Sequence, residues 1–264
     1  MQGEYIRGLI KKIKQKPELN GVDDSVVKSA LFLSLNKLKI SKSEISSLKK
    51  SDLKMIIKQS RAYLRKSVGM FSYNEKKRSK LLERSEFVKL IKTHRSTKER
   101  IDFYKEFVNK LNSLRAKSIL DLGCGINPIA LFYFGLGKST EYFASDINKA
   151  DLSSVNQFFR MSKINGRVFI FNLEKDSFDE LPKADIMLLL KVFDIGKLGE
   201  KREKELILAL RNISKQIIIS FSTIRLSGKP MNKPKRAWFE NIIRKLNLNY
   251  STLTTKNEIF YLIS

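Results

Sequence analysis

One cysteine, one histidine and one tryptophan are all that the 264 residues contain of those types. A lone thiol, Cys124, cannot close an intrachain disulfide. With only His94 beside it, neither a Cys-based zinc cluster nor a histidine-rich metal site can be assembled. Glycine and proline are modest at 12 and 5, which excludes a collagen-like chain. No stretch approaches the roughly eighteen consecutive apolar residues of a membrane span. The opening Met1-Gln2-Gly3-Glu4 lacks the apolar run of a signal peptide. A soluble, cytoplasmic monomer with no metal and no membrane partner is the expectation.

Acidic residues are also scarce beside basic ones. Lys and Arg number 52 against 27 Asp and Glu, a formal charge of +25, while 42% of the chain is hydrophobic. That apolar share is enough to bury a core, so the chain is not disordered by composition. A surplus this large repels itself unless a polyanion neutralises part of it. A Lys-rich composition habit would give the same count; a nucleic-acid partner, bound with counterion release, is the sharper reading.

The chain reads as two halves. Residues 1–113 look helical throughout, with Val26, Val27, Ala30, Leu31, Leu33 and Leu38 at helical spacing. Asp23-Asp24 and Ser51-Asp52 stand where helices start. Further helical patterns cover 80–92 and 97–111. Of the net charge, +16 lies in residues 1–110 and +9 in the rest, as expected if the helical half grips phosphate. Residues 114–264 alternate short apolar strands (Ser118–Leu122, 141–144, 168–171, Ile186–Leu190, 217–221) with helices (128–134, 148–163, 201–212). This predicts an α/β unit with a parallel sheet covered on both faces. Tyr250–Thr254 and Glu258–Ile263 flank Thr255-Lys256-Asn257 as a terminal antiparallel hairpin. Five alternating strands and a terminal hairpin resemble the strand plan of class I (Rossmann-like) S-adenosylmethionine-dependent methyltransferases.

Asp121-Leu122-Gly123-Cys124-Gly125 follows the first strand. Its glycines permit a tight turn and close approach of backbone to a ligand. The third glycine of a pyrophosphate-binding loop is missing; Asn127-Pro128 stands there, and proline suits the first turn of a helix. Such a loop fits S-adenosylmethionine better than a dinucleotide. Asp146, ending the second strand, is placed to accept hydrogen bonds from ribose hydroxyls. Asn172 and Leu173 follow the third strand, where an adenine would lie. An ordinary strand-to-helix turn would also use these glycines, and Cys124 reads as a small residue packed under the loop.

Missing motifs narrow the chemistry. Methylation of cytosine C5 needs a thiolate nucleophile, and the single cysteine is in the loop. The Asp/Asn-Pro-Pro-aromatic motif of amino-group methylation is replaced after the fourth strand by Leu190-Lys191-Val192-Phe193-Asp194. A target that is already nucleophilic, such as guanine N7, needs mainly orientation and in-line approach. A protein nitrogen or carboxylate fits the same logic.

Four blocks carry a family resemblance. They are His94-Arg95-Ser96-Thr97-Lys98-Glu99-Arg100, Gly123-Cys124-Gly125-Ile126-Asn127-Pro128-Ile129-Ala130, Leu188-Leu189-Leu190-Lys191, and the stretch from Ile219-Ser220-Phe221 to Trp238-Phe239-Glu240. The chain resembles the small-subunit (16S-type) rRNA guanine-N7 methyltransferases that confer aminoglycoside resistance. The resemblance implies a helical N-terminal domain on the 30S ribosomal subunit and a C-terminal domain binding S-adenosylmethionine. It implies a pocket lined by His94, Ser96, Arg100, Gly123, Gly125, Asp146, Asn172, Leu173 and Leu188. Arg100 would pair bidentately with the methionine carboxylate. Lys191 would act at the carboxyl edge on the guanine or a phosphate; a solvated surface lysine is the bland reading. Phe71, Arg225, Lys229, Met231, Lys235 and Arg236 would meet RNA, with Trp238 and Phe239 read as helix core. The departures lie on the substrate side, at Asp194, Ser222, Pro230 and Lys235. Another rRNA base, a ribosomal protein, or a ribosome-binding assembly factor without turnover are the rival readings.

Overall fold

A computed structural model describes the whole chain apart from residues 1, 69–74, 194–199, 226–228 and 233. Phe71 and Asp194, singled out from the sequence, lie outside the described residues.

Three helices, α1 (Gln2–Ile13), α2 (Asp24–Lys37) and α3 (Lys50–Val68), open the chain. Asp23 caps α2 as expected, its carboxylate accepting from the Ser25 N–H at 2.8 Å and satisfying an otherwise unpaired donor. The other expected cap is displaced: Ser51 and Asp52 sit inside the first turn of α3. Leu9, Ile13, Leu19, Val27, Leu31, Ile56 and Leu64 bury a core of their own between these helices.

Four short helices follow: α4 (Glu75–Glu83), α5 (Phe87–Ile91), α6 (Arg95–Glu99) and α7 (Tyr104–Ser113). The continuous helices expected over 80–92 and 97–111 are each broken. Ser85 takes a left-handed φ of +55° between α4 and α5, and Ile101–Phe103 tightens to a 3-10 turn between α6 and α7. The second break turns the Arg100 side chain into the protein interior, where it is 3% exposed.

The sheet contains β1 (Ser118–Leu122), β2 (Glu141–Asp146), β3 (Gly166–Ile170), β4 (Ile186–Leu190), β5 (Gln216–Ser222), β6 (Tyr250–Thr254) and β7 (Glu258–Ile263). Its order is β3-β2-β1-β4-β5-β7-β6, parallel through β5 and antiparallel at β7 and β6. Four helices complete the layers: α8 (Asn127–Tyr133), α9 (Lys149–Ser162), α10 (Glu200–Ile213) and α11 (Ala237–Lys245).

Alternation along each strand sends its residues to opposite faces. Ile119, Tyr142, Ala144, Leu188, Ile218 and Phe260 meet α8, α9 and the helices α4, α5 and α7. Leu120, Leu122, Met187, Leu189, Ile217 and Ile219 meet α10 and α11. Thus α4, α5 and α7 share the sheet's core, while among the described residues α1–α3 have a separate one. The division of the core therefore falls well before the domain boundary expected at 113. From β1 the chain winds outward to β3, then returns so that β4 lies beside β1. Ligands of open α/β sheets bind where the order reverses, at the carboxyl ends of the strands.

Candidate active site

The carboxyl end of β1 is where the sequence motifs converge. Gly123 and Gly125 take φ of +72° and +50°, a region that penalises a side chain. A Cβ on Gly123 would stand 2.7 Å from Val192, and one on Gly125 2.8 Å from His94 Nε2. The loop is thus pinched between the segment after β4 and the His94 ring. Cys124 lies beneath it, 4% exposed, with its N–H on the Ser145 carbonyl at 2.8 Å.

Asp146 ends β2 facing this loop. One carboxylate oxygen accepts the Gly125 N–H and the other the Asn148 N–H, both at 2.8 Å. Each oxygen keeps a lone pair for a further donor. Burial, reinforced by the nearby Asp151 carboxylate, pushes its pKa up. Asp121, at the base of the loop, accepts from Asn127 and Tyr142 at 2.8 Å, and burial raises its pKa to about 6.

His94 precedes α6 and is 7% exposed. Its Nδ1 lies 3.0 Å from the Ser96 hydroxyl and its Nε2 3.9 Å from Asp151. Burial depresses its pKa to about 4, the attraction of Asp151 notwithstanding, so the ring is neutral at pH 7. Arg78 donates to Asp151 from within the same buried cluster.

The structure gives several of the expected site residues partners within the chain. Arg100 does make a bidentate pair, but with Glu258 of β7, at 2.7 and 3.0 Å. Its remaining Nη donates to Tyr104 and Asn127, both at 3.2 Å. The fork expected to hold a ligand carboxylate is therefore engaged inside the protein. Lys191 is not a solvated surface lysine. It is 4% exposed, strained at φ +61°, and its Nζ lies 2.8 Å from Glu99 and 3.6 Å from Glu258. Hydrogen bonds from Lys191 and Arg95 outweigh burial at Glu99 and hold its carboxyl below the usual range. Leu188 is wholly buried in the middle of β4 and packs in the core.

Asn172 and Leu173 lie half-buried just beyond β3. Asn172 folds into an Asx turn, its Oδ1 accepting the Glu174 N–H at 3.0 Å. In the loop after β5, Arg225, Lys229 and Lys235 are exposed. Arg236, expected to meet RNA, turns inward: it donates to the carbonyls of Pro234 and Ser222 at 2.8 Å and covers the Phe221 ring. The half-buried Met231 receives its Nη2 at 3.7 Å. Phe239 is core, but Trp238 is 40% exposed and edge-packed on Phe221.

Sequence reasoning missed Glu258, which joins Arg100, Lys191 and the Ser220 hydroxyl in one network. Its signal was a lone acid opening an otherwise apolar strand. It also missed a groove of about 370 Å³ between α1 and α3, lined by Lys12, Lys16, Lys54, Lys58, Arg61 and Arg65. Four of these cations lie along α3 and are joined by Lys12 and Lys16 from the α1 side only in the fold. Among the described residues, no group of three or more His, Cys, Asp or Glu is placed to hold a metal. No described helix is long and apolar enough to cross a membrane.

Strand order, the glycine loop and the carboxylate ending β2 define a class I, Rossmann-like methyltransferase fold preceded by helices. The chain belongs to the FmrO family of ribosomal RNA methyltransferases, whose model matches residues 83–261. It is 28% identical over 174 residues to the 16S rRNA (guanine(1405)-N(7))-methyltransferase of Micromonospora echinospora, covering 64% of this chain and 62% of that protein. The Frankia casuarinae enzyme of the same name is 28% identical over 180 residues, at 66% and 62% coverage. The chain thus spans less than two thirds of the length of these curated relatives. In three dimensions it is similar to the 16S rRNA methyltransferase RmtF, crystallised with S-adenosyl-L-homocysteine. That match has a TM-score of 0.80 and 24% identity over 99% of this chain and 98% of RmtF.

Proposed function

We propose that this protein transfers a methyl group from S-adenosylmethionine to guanine N7 in the decoding region of small-subunit rRNA. The observation that carries the reading is the Gly123–Gly125 loop held against His94, with Asp146 facing it at the point where the strand order reverses. These residues fit the cofactor. The two glycines bring backbone close to a ligand, and Asp146 retains acceptor capacity for a ribose diol. Asn172 and Leu173 would flank its adenine. When bound, S-adenosylmethionine supplies a methyl group activated on a sulfonium.

The chain's own part is binding and orientation. Neutral His94 and Ser96 close the loop from the helical side. The Glu99–Lys191–Glu258–Arg100 network fixes the carboxyl ends of β4 and β5, where the base must be presented. Arg100 thereby acts on the pocket through Glu258 and Asn127. The nucleophile is the N7 lone pair of guanine, which loses no proton before attack, so in-line alignment is the main demand. The cationic groove between α1 and α3 supports docking of the helical half on RNA phosphates, and the exposed Arg225, Lys229 and Lys235 would meet the strand near an extruded base. The relatives' names support the 16S target and the guanine N7 position.

Incubating purified 30S particles with methyl-labelled cofactor tests the proposal. Label should enter 16S rRNA at a guanine whose strand becomes cleavable after borohydride and aniline treatment, the signature of a cationic N7-methyl base. Label in ribosomal protein, at another base, or nowhere despite tight 30S binding refutes it.

A further inference from the structure

The helical half does more than adjoin the candidate cofactor site; it clamps two of its loops. Asp146 is held by the Asn148 N–H. Asn148 is 2% exposed, and its side chain caps α9 by accepting from Ala150 at 3.0 Å and Asp151 at 3.3 Å. The segment between α1 and α2 lies directly on this turn. Val22 forms an antiparallel bridge with Asn148. Asp23 donates its N–H to the Ile147 carbonyl at 3.0 Å, and the Gly21 carbonyl accepts from Ala150 at 3.4 Å. Ile147 in turn packs into the core of α1–α3.

Gly21 is the closest point of approach. A Cβ there would stand 2.5 Å from Asn148 Oδ1 and 2.7 Å from the Ala150 Cβ. Neither neighbour can yield by swinging a flexible side-chain end, because Asn148 is committed as a cap and Ala150 has only its Cβ. A second strap reaches the other loop. Tyr63 of α3 donates its hydroxyl to the Glu174 carboxylate, and Glu174 belongs to the Asx turn of Asn172. Burial, with Glu174 beside it, holds the Tyr63 phenol well above its ordinary pKa, so it remains a donor.

We infer that Gly21 and Tyr63 are positioning residues of the cofactor site, supplied by the helical half to hold the Asp146 and Asn172 loops in binding register. The inference rests on the proposed function, since it assigns these two loops to S-adenosylmethionine. It also places the basic groove and the adenine-side strap on one helix: α3 carries Lys54, Lys58, Arg61 and Arg65 as well as Tyr63. Any shift of α3 on docking is thereby felt at the Asn172 turn, and the linkage is reciprocal.

The test compares full-length wild type with Gly21→Ala, Tyr63→Phe and Gly8→Ala, a control whose Cβ meets nothing within 4 Å. Titration calorimetry with S-adenosylhomocysteine, without RNA, should show five- to tenfold weaker binding for Gly21→Ala and Tyr63→Phe. In turnover on 30S particles, KM for the cofactor should rise by the same factor, with kcat and the 30S KM within twofold. Tyr63→Phe keeps the ring and its packing, so it decides the matter should Gly21→Ala fail to fold. Wild-type affinity in both variants, or a loss confined to kcat or to 30S binding, overturns the inference alone. No binding of S-adenosylhomocysteine by the wild type overturns the cofactor reading, and the inference with it.

Discussion

Protonation of His94 gives a prediction that can be worked to a magnitude. The ring is 7% exposed between Ser96, Gly125 and the Arg78–Asp151 pair, and burial lowers its pKa from 6.5 to about 4. The unfolded chain therefore takes up this proton more readily than the folded one. The contribution to stability is fully present above pH 6.5 and is lost as pH falls through the window from 6.5 to 4. At 1.36 kcal/mol per pH unit, the loss across that window is about 3 kcal/mol. Asp121 works in the opposite sense. Its raised pKa costs stability as pH rises from its ordinary value toward 6, so the pH profile of the wild type alone is ambiguous. The difference between wild type and His94→Gln isolates the imidazole. Urea unfolding of both at pH 7 and pH 4.5 should show wild type losing about 2–3 kcal/mol more than the variant. Because the chain has a single histidine, its ring protons are assigned without ambiguity in an NMR titration. A midpoint at or above 6.5, or parallel pH profiles for wild type and variant, refutes the buried neutral imidazole.

Other consequences are as direct. Gly125→Ala places a Cβ 2.8 Å from His94 at a φ of +50°, and calorimetry should show cofactor affinity reduced at least tenfold, with far-UV circular dichroism retained. Arg100→Ala removes the bidentate partner of buried Glu258 and leaves it only the longer approach of Lys191 at 3.6 Å, which should cost about 3 kcal/mol of stability. Chemical denaturation should detect that loss before any binding defect is interpreted, and an unchanged midpoint removes the network from its structural role. Lys54→Ala with Lys58→Ala should weaken 30S binding and lower the slope of log affinity against log salt by about one per lysine. A slope that does not move would place the phosphate contacts elsewhere.

The resemblance and the strand pattern made much of the fold legible. All seven strands begin and end within two residues of their expected limits; the five parallel ones are legible because buried parallel strands write themselves as short apolar runs between turn signals. Helix continuity in 80–111 was not legible. Apolar spacing there is helical, but tertiary contacts broke it at Ser85 and at Ile101–Phe103. At the site, the loop and Asp146 could be found because a glycine pair after a strand and an acid at the next strand end are local signals. The partners of Arg100 and Lys191 could not. Glu258 lies 158 residues from Arg100, and it reaches the site only because β7 inserts between β5 and β6.

What the sequence by itself determined is therefore what local chemistry encodes: a basic helical beginning, an α/β remainder, a loop able to approach a ligand, and a scarcity of cysteine and histidine. What only the tertiary structure decided is which charges are spent on the protein itself. Arg100, Lys191 and Arg236 look in sequence like cations available for ligands, yet folding places each against an acid or a carbonyl within the chain. Lys54 and Lys58, unremarkable in sequence, become part of a cationic groove because α3 packs on α1. The reason is physical: net charge is a property of composition, but the desolvation that forces a buried cation to find a partner exists only once the chain has folded.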